Sequence, residues 1–282
     1  MFGQSKEKTL IRTKTGELYQ PARVYYEVSN QKTVLGMFKK LRCIEWEPSM
    51  NAWRWLYEQE AKKLKFEISW NRVPKEDRPL VLGDFYFRGE QELILEVRSF
   101  VRVTHAILFF DKHINRRVAR VTKIRILNRL LDASNPRDSQ HLHPPFDHFF
   151  DRDDIEIPDS EATVQKMEAL ARESEDPETG LQALHAYIEE KAKKPVPEIE
   201  EIPVHFYDDG IMPLEMALMM RNMEAVGHWQ GNKNLNQYDL MMQLLQGLQN
   251  DLTVQEQLKE AIPETLEAEV EPVVDQEDAG EG

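Results

Sequence analysis

Leu80-Val-Leu-Gly-Asp-Phe-Tyr-Phe-Arg88, Glu92-Leu-Ile-Leu-Glu-Val-Arg-Ser-Phe-Val-Arg-Val103 and Thr104-His-Ala-Ile-Leu-Phe-Phe110 follow one another along the chain, punctuated by Gly83-Asp84 and Gly89-Glu90. β-branched and aromatic residues are dense in all three. The composition predicts strands, with Glu90-Gln91 at a hairpin turn. Val97, Phe100, Val101, Val103, Ile107 and Phe109 are the expected sheet-lining residues. The next segment, Lys112 to Leu131, carries Lys112, Arg116, Arg117, Arg120, Lys123, Arg125 and Arg129 and no acidic residue. Fold and binding surface are expected to meet there.

The backbone of that basic segment has two readings. As a helix it places Lys112, Arg116, Arg120 and Lys123 on one stripe, with Ile114, Val118 and Val121 opposite. As a strand from Val118 to Leu127 it points Ile124 and Ile126 one way and Lys123 and Arg125 the other. The density of Val, Thr and Ile favours the strand. In either form the cations are expected at the surface, because unpaired buried charge is prohibitive.

Working back towards the N-terminus, Arg23 to Val28, Thr33 to Leu41, Lys40 to Trp46 and Lys65 to Trp70 read as strands, with Ser29-Asn30-Gln31 as a turn. After Glu47-Pro48-Ser49, the residues Trp53, Leu56, Tyr57, Ala61 and Leu64 recur at helical spacing and predict one packed helix. Trp53 and Trp55 are read as core in preference to a base-stacking platform. The expectation for residues 1–138 is a basic α+β domain with a mainly antiparallel sheet.

Working forward, residues 139–159 are rich in Pro, His and Asp and read as a hinge. Residues 160–250 carry helical signals. The first helix begins at Asp159-Ser160 and carries Val164, Met167 and Leu170. The second is capped at Asp176-Pro177 and carries Leu181, Leu184 and Ile188. A Pro/Glu/Lys spacer from Lys191 to Pro203 is expected to be extended and solvated. A methionine-rich helix follows Asp209-Gly210, and a fourth carries Tyr238, Met241, Leu244 and Leu248. Residues 251–282 read as an acidic, disordered tail.

The charge is divided along the chain. Residues 1–150 hold 27 Lys and Arg against 18 Asp and Glu, whereas 151–282 hold 9 against 32, giving the net −14. This division suggests an anionic partner for the first half, or an acidic second half that folds back onto the basic patch. The single Cys43 allows no internal disulfide or Cys-based zinc site and points to a reducing, cytoplasmic setting. Met1 to Thr15 is polar and lacks a secretory signal's apolar middle, and no window is long and apolar enough for a membrane span.

His141, His143, Asp147 and His148 form the one cluster with metal-ligand chemistry. Their His-x-His-x-x-x-Asp-His run resembles the His-x-His-x-Asp-His run of the metallo-β-lactamase superfamily, departing from it by two inserted residues and by Pro144-Pro145. The resemblance would imply a metal-dependent hydrolase or nuclease, which is kept as the alternative. Asp147, Asp151, Asp153 and Asp154 lack the Gly and final Glu of a calcium loop. His105 and His113 read as structural. No Gly-rich phosphate cradle and no activated nucleophile is present, so no cofactor, metal or catalytic residue is assigned.

Two binding surfaces remain. One is the basic patch of seven cations, suited to an acidic protein surface or to nucleic acid. The other is Met216, Met219, Met220 and Met223, suited to a partner helix or to contact between two copies. The reading is therefore a non-catalytic adaptor with a role in assembly or scaffolding.

Overall fold

Arg23-Val-Tyr-Tyr-Glu-Val28 lies inside strand β1 (Ala22–Val28), which has a neighbour on each side and is buried on both faces. Such a strand alternates its side chains between two environments. Val24, Tyr26 and Val28 enter the apolar core, and Arg23, Tyr25 and Glu27 lie on the other face. The computed structural model describes residues 8–135, 146–151, 160–172 and 176–247. These fall into two units divided between Tyr238 and Asp239, and helical residues 237–247 span that division.

The fold is α+β. Six further strands join β1: β2 (Ile44–Glu47), β3 (Ala52–Leu56), β4 (Val81–Arg88), β5 (Glu92–Val97), β6 (Ala119–Leu127) and β7 (Ile199–Pro203). They form one antiparallel sheet in the order β2-β3-β4-β5-β1-β6-β7. The β4–β5 hairpin turns at Gly89, whose φ of 69° suits glycine. Gly83 answers a packing demand, since a Cβ there would stand 2.6 Å from the Glu96 carbonyl oxygen.

The predicted hairpin and the strand form of the basic segment are both present, the latter as β6. Several expectations are corrected. Thr33 to Leu41 is not a strand: helix α1 (Gln31–Phe38) starts at Asn30, whose side chain accepts from the Thr33 N–H at 3.0 Å. Val34 and Phe38, one turn apart, are both fully buried. Trp53 to Leu64 is not a helix, because β3 is held between β2 and β4, and a short 3₁₀ turn (Gln59–Lys63) follows it. Trp55 packs in the core, edge-on to Phe110 at 5.2 Å.

The third correction concerns Thr104 to Phe110, which belongs to helix α2 (Phe100–Asp111). Ser99 caps it, accepting from the Arg102 N–H at 3.3 Å. Phe100, Val103, Ile107 and Phe110, spaced by three and four residues, are buried against the sheet. Of the residues expected to line the sheet, Val97 is in β5 and the others line or flank this helix. Lys65 to Trp70 forms no strand and runs into a 3₁₀ turn at Trp70–Arg72.

Beyond β6 come α3 (Asp147–Phe150), α4 (Ser160–Arg172) and α5 (Pro177–Ala192), the last capped by Asp176 onto the Thr179 N–H at 3.2 Å. The Pro/Glu/Lys spacer is not simply solvated. Its end forms β7, an edge strand on β6. Helices α6 (Phe206–Asp209) and α7 (Met212–Trp229) follow.

Phe85 is fully buried, its ring 4.9 Å from Phe38 and 4.7 Å from Phe110, so it joins β4 to both α1 and α2. Phe85→Ala is expected to lower unfolding free energy by about 3–5 kcal/mol in urea titrations. A loss under about 1 kcal/mol would mean that this junction is not the core.

Candidate functional site

Arg102 organises the wall of an apolar cleft. Its side chain is buried, and its Nε donates to Glu17 Oε1 at 3.0 Å while Nη2 donates to Thr15 Oγ1 at 2.7 Å. Nη1 reaches the carbonyls of Val81 and Leu82 at 3.2 and 3.1 Å. Ser99 Oγ adds a bond to Glu17 Oε1 at 3.1 Å. Burial by itself would raise the Glu17 carboxyl. Arg102 and the hydroxyls of Thr13 and Thr15 outweigh that and hold it below its ordinary value. The network ties residues 13–17 to the start of α2 and to β4.

Beside it lies a cleft of about 570 Å³ with an apolar floor of Leu18, Phe66, Phe100, Val101 and Leu218, closed on the α7 side by Met219. Its rim is polar, with Arg12, Lys65, Glu67 and Glu215. That volume falls in the range of ligand or side-chain docking sites. None of these residues except Met219 was chosen from sequence as a site. They come from four separate segments, so no local pattern connects them.

Helix α7 sets the second feature. Leu214, Leu218 and Ala225 are buried on one side. Met212, Met216, Met219 and Met223, at intervals of four, three and four, share the opposite side. Met212, Met216 and Met219 are 71%, 56% and 44% exposed, whereas Met220 and Met223 are half-buried. Val101 of α2, also exposed, lines the cleft together with Met219.

The basic patch is largely neutralised. Arg120 pairs with Glu27 at 2.7 Å, Lys123 and Arg125 with Glu201 at 3.1 and 2.8 Å, and Arg129 with Glu198 at 2.9 Å. Glu198 and Glu201 belong to the segment expected from sequence to be a solvated spacer, and through them part of the acidic second half meets the patch. The expectation that every cation is displayed is corrected for Arg125, whose guanidinium is four-fifths covered. Lys112, Arg116 and Arg117 are exposed and make no ion pair among the described residues. Arg116 stands 5.9 Å from the Tyr207 ring, at a groove of about 980 Å³ that also holds Arg117 and Arg120.

Asp147 and Asp151 bind Arg23: Asp151 Oδ2 accepts from Nη1 at 2.7 Å, and Asp147 accepts from Nη2. His141, His143, Asp153 and Asp154 lie outside the described residues. Among the described residues, no three His, Cys, Asp or Glu side chains gather as a metal requires. His105 and His113 pack on Phe66 and Phe109 at 4.9 and 4.6 Å, and burial lowers both imidazoles. Cys43 is buried, and burial together with Glu60 pushes its thiol up to about 12. No helix of the described residues is long and apolar enough to cross a membrane.

No family model, curated protein or solved structure matches this chain. The site's geometry therefore carries the functional argument.

Glu17→Gln tests the cleft wall. It leaves Arg102 buried without a counter-charge, at an expected cost of about 3–5 kcal/mol at pH 7. The folded-state carboxyl lies below its ordinary value of 4.5. Its contribution is therefore complete above that value and lost as the pH falls through the lower, folded one. Urea titrations between pH 7 and pH 3 are expected to show a steeper acid-side loss in the wild type than in Glu17→Gln. Parallel curves would show that Glu17 is not held in this way.

Proposed function

We propose that this chain is a non-catalytic binding protein of the adaptor type, joining a protein partner at α7 to an anionic partner at the α2–β6 loop. The observation that carries the reading is the exposed methionine stripe of α7. Met212, Met216 and Met219 lie on the side of the helix away from its own core residues, and Met219 also lines the apolar cleft. Flexible, polarizable thioethers at helical spacing suit a partner's apolar helix, which can set its own stripe against them and lodge one side chain in the cleft. Exposed apolar surface of this kind is what interaction sites use.

The anionic partner is assigned to Lys112, Arg116 and Arg117. Without an ion pair among the described residues, they form a small footprint, and Arg116 and Arg117 share their groove with Glu27 and Asp208. An acidic protein segment fits this better than a nucleic-acid backbone, which calls for a longer basic track. The fixed pairing of Asp147 with Arg23 favours binding over metal-dependent hydrolysis.

Affinity isolation from cells with the full-length protein tests this reading. Met216→Glu combined with Met219→Glu is expected to weaken one protein partner about tenfold or more, and Arg116→Glu with Arg117→Glu a different, salt-sensitive one. Both substitutions are on exposed positions, so circular dichroism should be unchanged. Retention of every partner by both variants would overturn the proposal.

A further inference from the structure

One transverse row of the sheet is charged on every strand. Glu45, Arg54, Asp84, Glu96, Arg23, Arg125 and Glu201 stand side by side across β2, β3, β4, β5, β1, β6 and β7. At the β7 end the row closes on Glu201, which takes both Arg125 and Lys123. At the β2 end it does not close. Arg54, opposite Glu45, is instead bonded to Glu47 at 2.8 Å and lies 3.6 Å from Asp84. Glu45 is exposed and makes no ion pair among the described residues.

The backbone of β2 is open on the same side. Among the described residues, its only neighbour in the sheet is β3. The Leu56 N–H donates to the Cys43 carbonyl at 2.8 Å. Antiparallel ladders alternate, so Cys43, Glu45 and Glu47 turn their backbone groups to β3, and Ile44 and Trp46 turn theirs outward. The Ile44 N–H is used by the Leu41 carbonyl at 3.2 Å. The Trp46 N–H and the carbonyls of Ile44 and Trp46 have no backbone partner among the described residues. The Trp46 ring stays 41% exposed although it lies 5.2 Å from Trp53, and a cavity of about 330 Å³ opens beside it between Leu35, Trp53 and Phe87.

We propose that the β2 edge accepts an extended segment of a partner protein as an eighth strand, with apolar residues against Ile44 and Trp46 and a Lys or Arg beside Glu45. Only an extended chain can satisfy the outward Trp46 N–H and carbonyl together, and a helix cannot. A nucleic-acid strand would be repelled by Glu45 and Glu47. A second copy pairing through its own β2 would bring these like charges together across the new ladder. The opposite edge lacks the same invitation, because Pro203 has no N–H and Glu201 is already paired. The surface is distinct from the α7 stripe.

The test uses the full-length protein and a fluorescein-labelled, end-capped heptapeptide alternating Val and Lys. A Val/Glu counterpart and a Val/Lys peptide with Pro at its centre serve as comparisons. Anisotropy titrations are expected to show the Val/Lys peptide binding about fivefold or more tighter than the other two. Glu45→Lys is expected to abolish or invert the preference for Lys over Glu. Glu90→Lys, the same charge change at the β4–β5 turn, is expected to leave it in place. No Val/Lys binding at about 1 mM would mean that the edge is closed to partners, as short charged edge strands often are. A preference that survives Glu45→Lys would mean attraction to the protein's net negative charge alone. Either result overturns the proposal.

Discussion

A guanidinium without water must be matched by carboxylates, and Arg23 sets that demand in the middle of the sheet. Its side chain is 1% exposed. Glu96 of β5 accepts from its Nε at 2.9 Å, and Asp147 and Asp151 approach its two terminal nitrogens from 124 and 128 residues further along. Phe150 covers the group, 5.4 Å from its ring centre. Burial lifts the Glu96 carboxyl above its ordinary value even with Arg23 and the Tyr86 hydroxyl bonded to it. The strand and the turn at 146–151 are thereby held to one register.

The same logic runs outward along the row of charges. Arg54, Arg23 and Arg120 are each met by an acid from a neighbouring strand, and Lys123 and Arg125 of β6 share Glu201 of β7. This explains how a chain so divided in charge folds without a large electrostatic penalty: part of its acidic half completes the sheet of its basic half. It also limits what the basic segment can do. Of seven cations, the four on or just beyond β6 are occupied, and only those on the α2–β6 loop remain for an outside ligand. What the fold leaves unpaired is then informative. It leaves the methionine side of α7, the cleft behind Arg102, and the outer edge of β2, on which the proposals rest.

The strands of the hairpin and of the basic segment were legible because alternation and turn residues agree there. Gly89 supplies the turn, and Ile124 and Ile126 alternate with Lys123 and Arg125. Helix α2 was hidden by its composition, since Val101, Val103, Thr104 and Ile107 argue for strand while the spacing of Phe100, Val103, Ile107 and Phe110 argues for helix. The spacing prevails because that face packs on the sheet and Ser99 caps the first turn. At Trp53 to Leu64 the opposite happened: a helical periodicity was present, but pairing on both sides of β3 overrode it. The methionine positions on α7 were legible as a candidate surface, whereas their exposure was not, because sequence alone does not say which side of a helix meets the core. The cleft was beyond reach, since Glu17, Phe66, Val101 and Leu218 are brought together only by tertiary structure. The pairing of Arg23 with Asp147 and Asp151 left no local trace either.

A double-mutant cycle on Arg23 and Glu96, read by urea unfolding at pH 7, tests the central claim most directly. Arg23→Met is expected to cost about 3–5 kcal/mol, because it strips the buried cation from Glu96, Asp147 and Asp151, and Glu96→Gln about 1.5–3 kcal/mol, because Asp147 and Asp151 still face the guanidinium. The double variant is expected to cost well under their sum, with a coupling of about 1–3 kcal/mol. Additive losses, or a negligible effect of Arg23→Met alone, would contradict the view that this buried guanidinium holds the sheet in register.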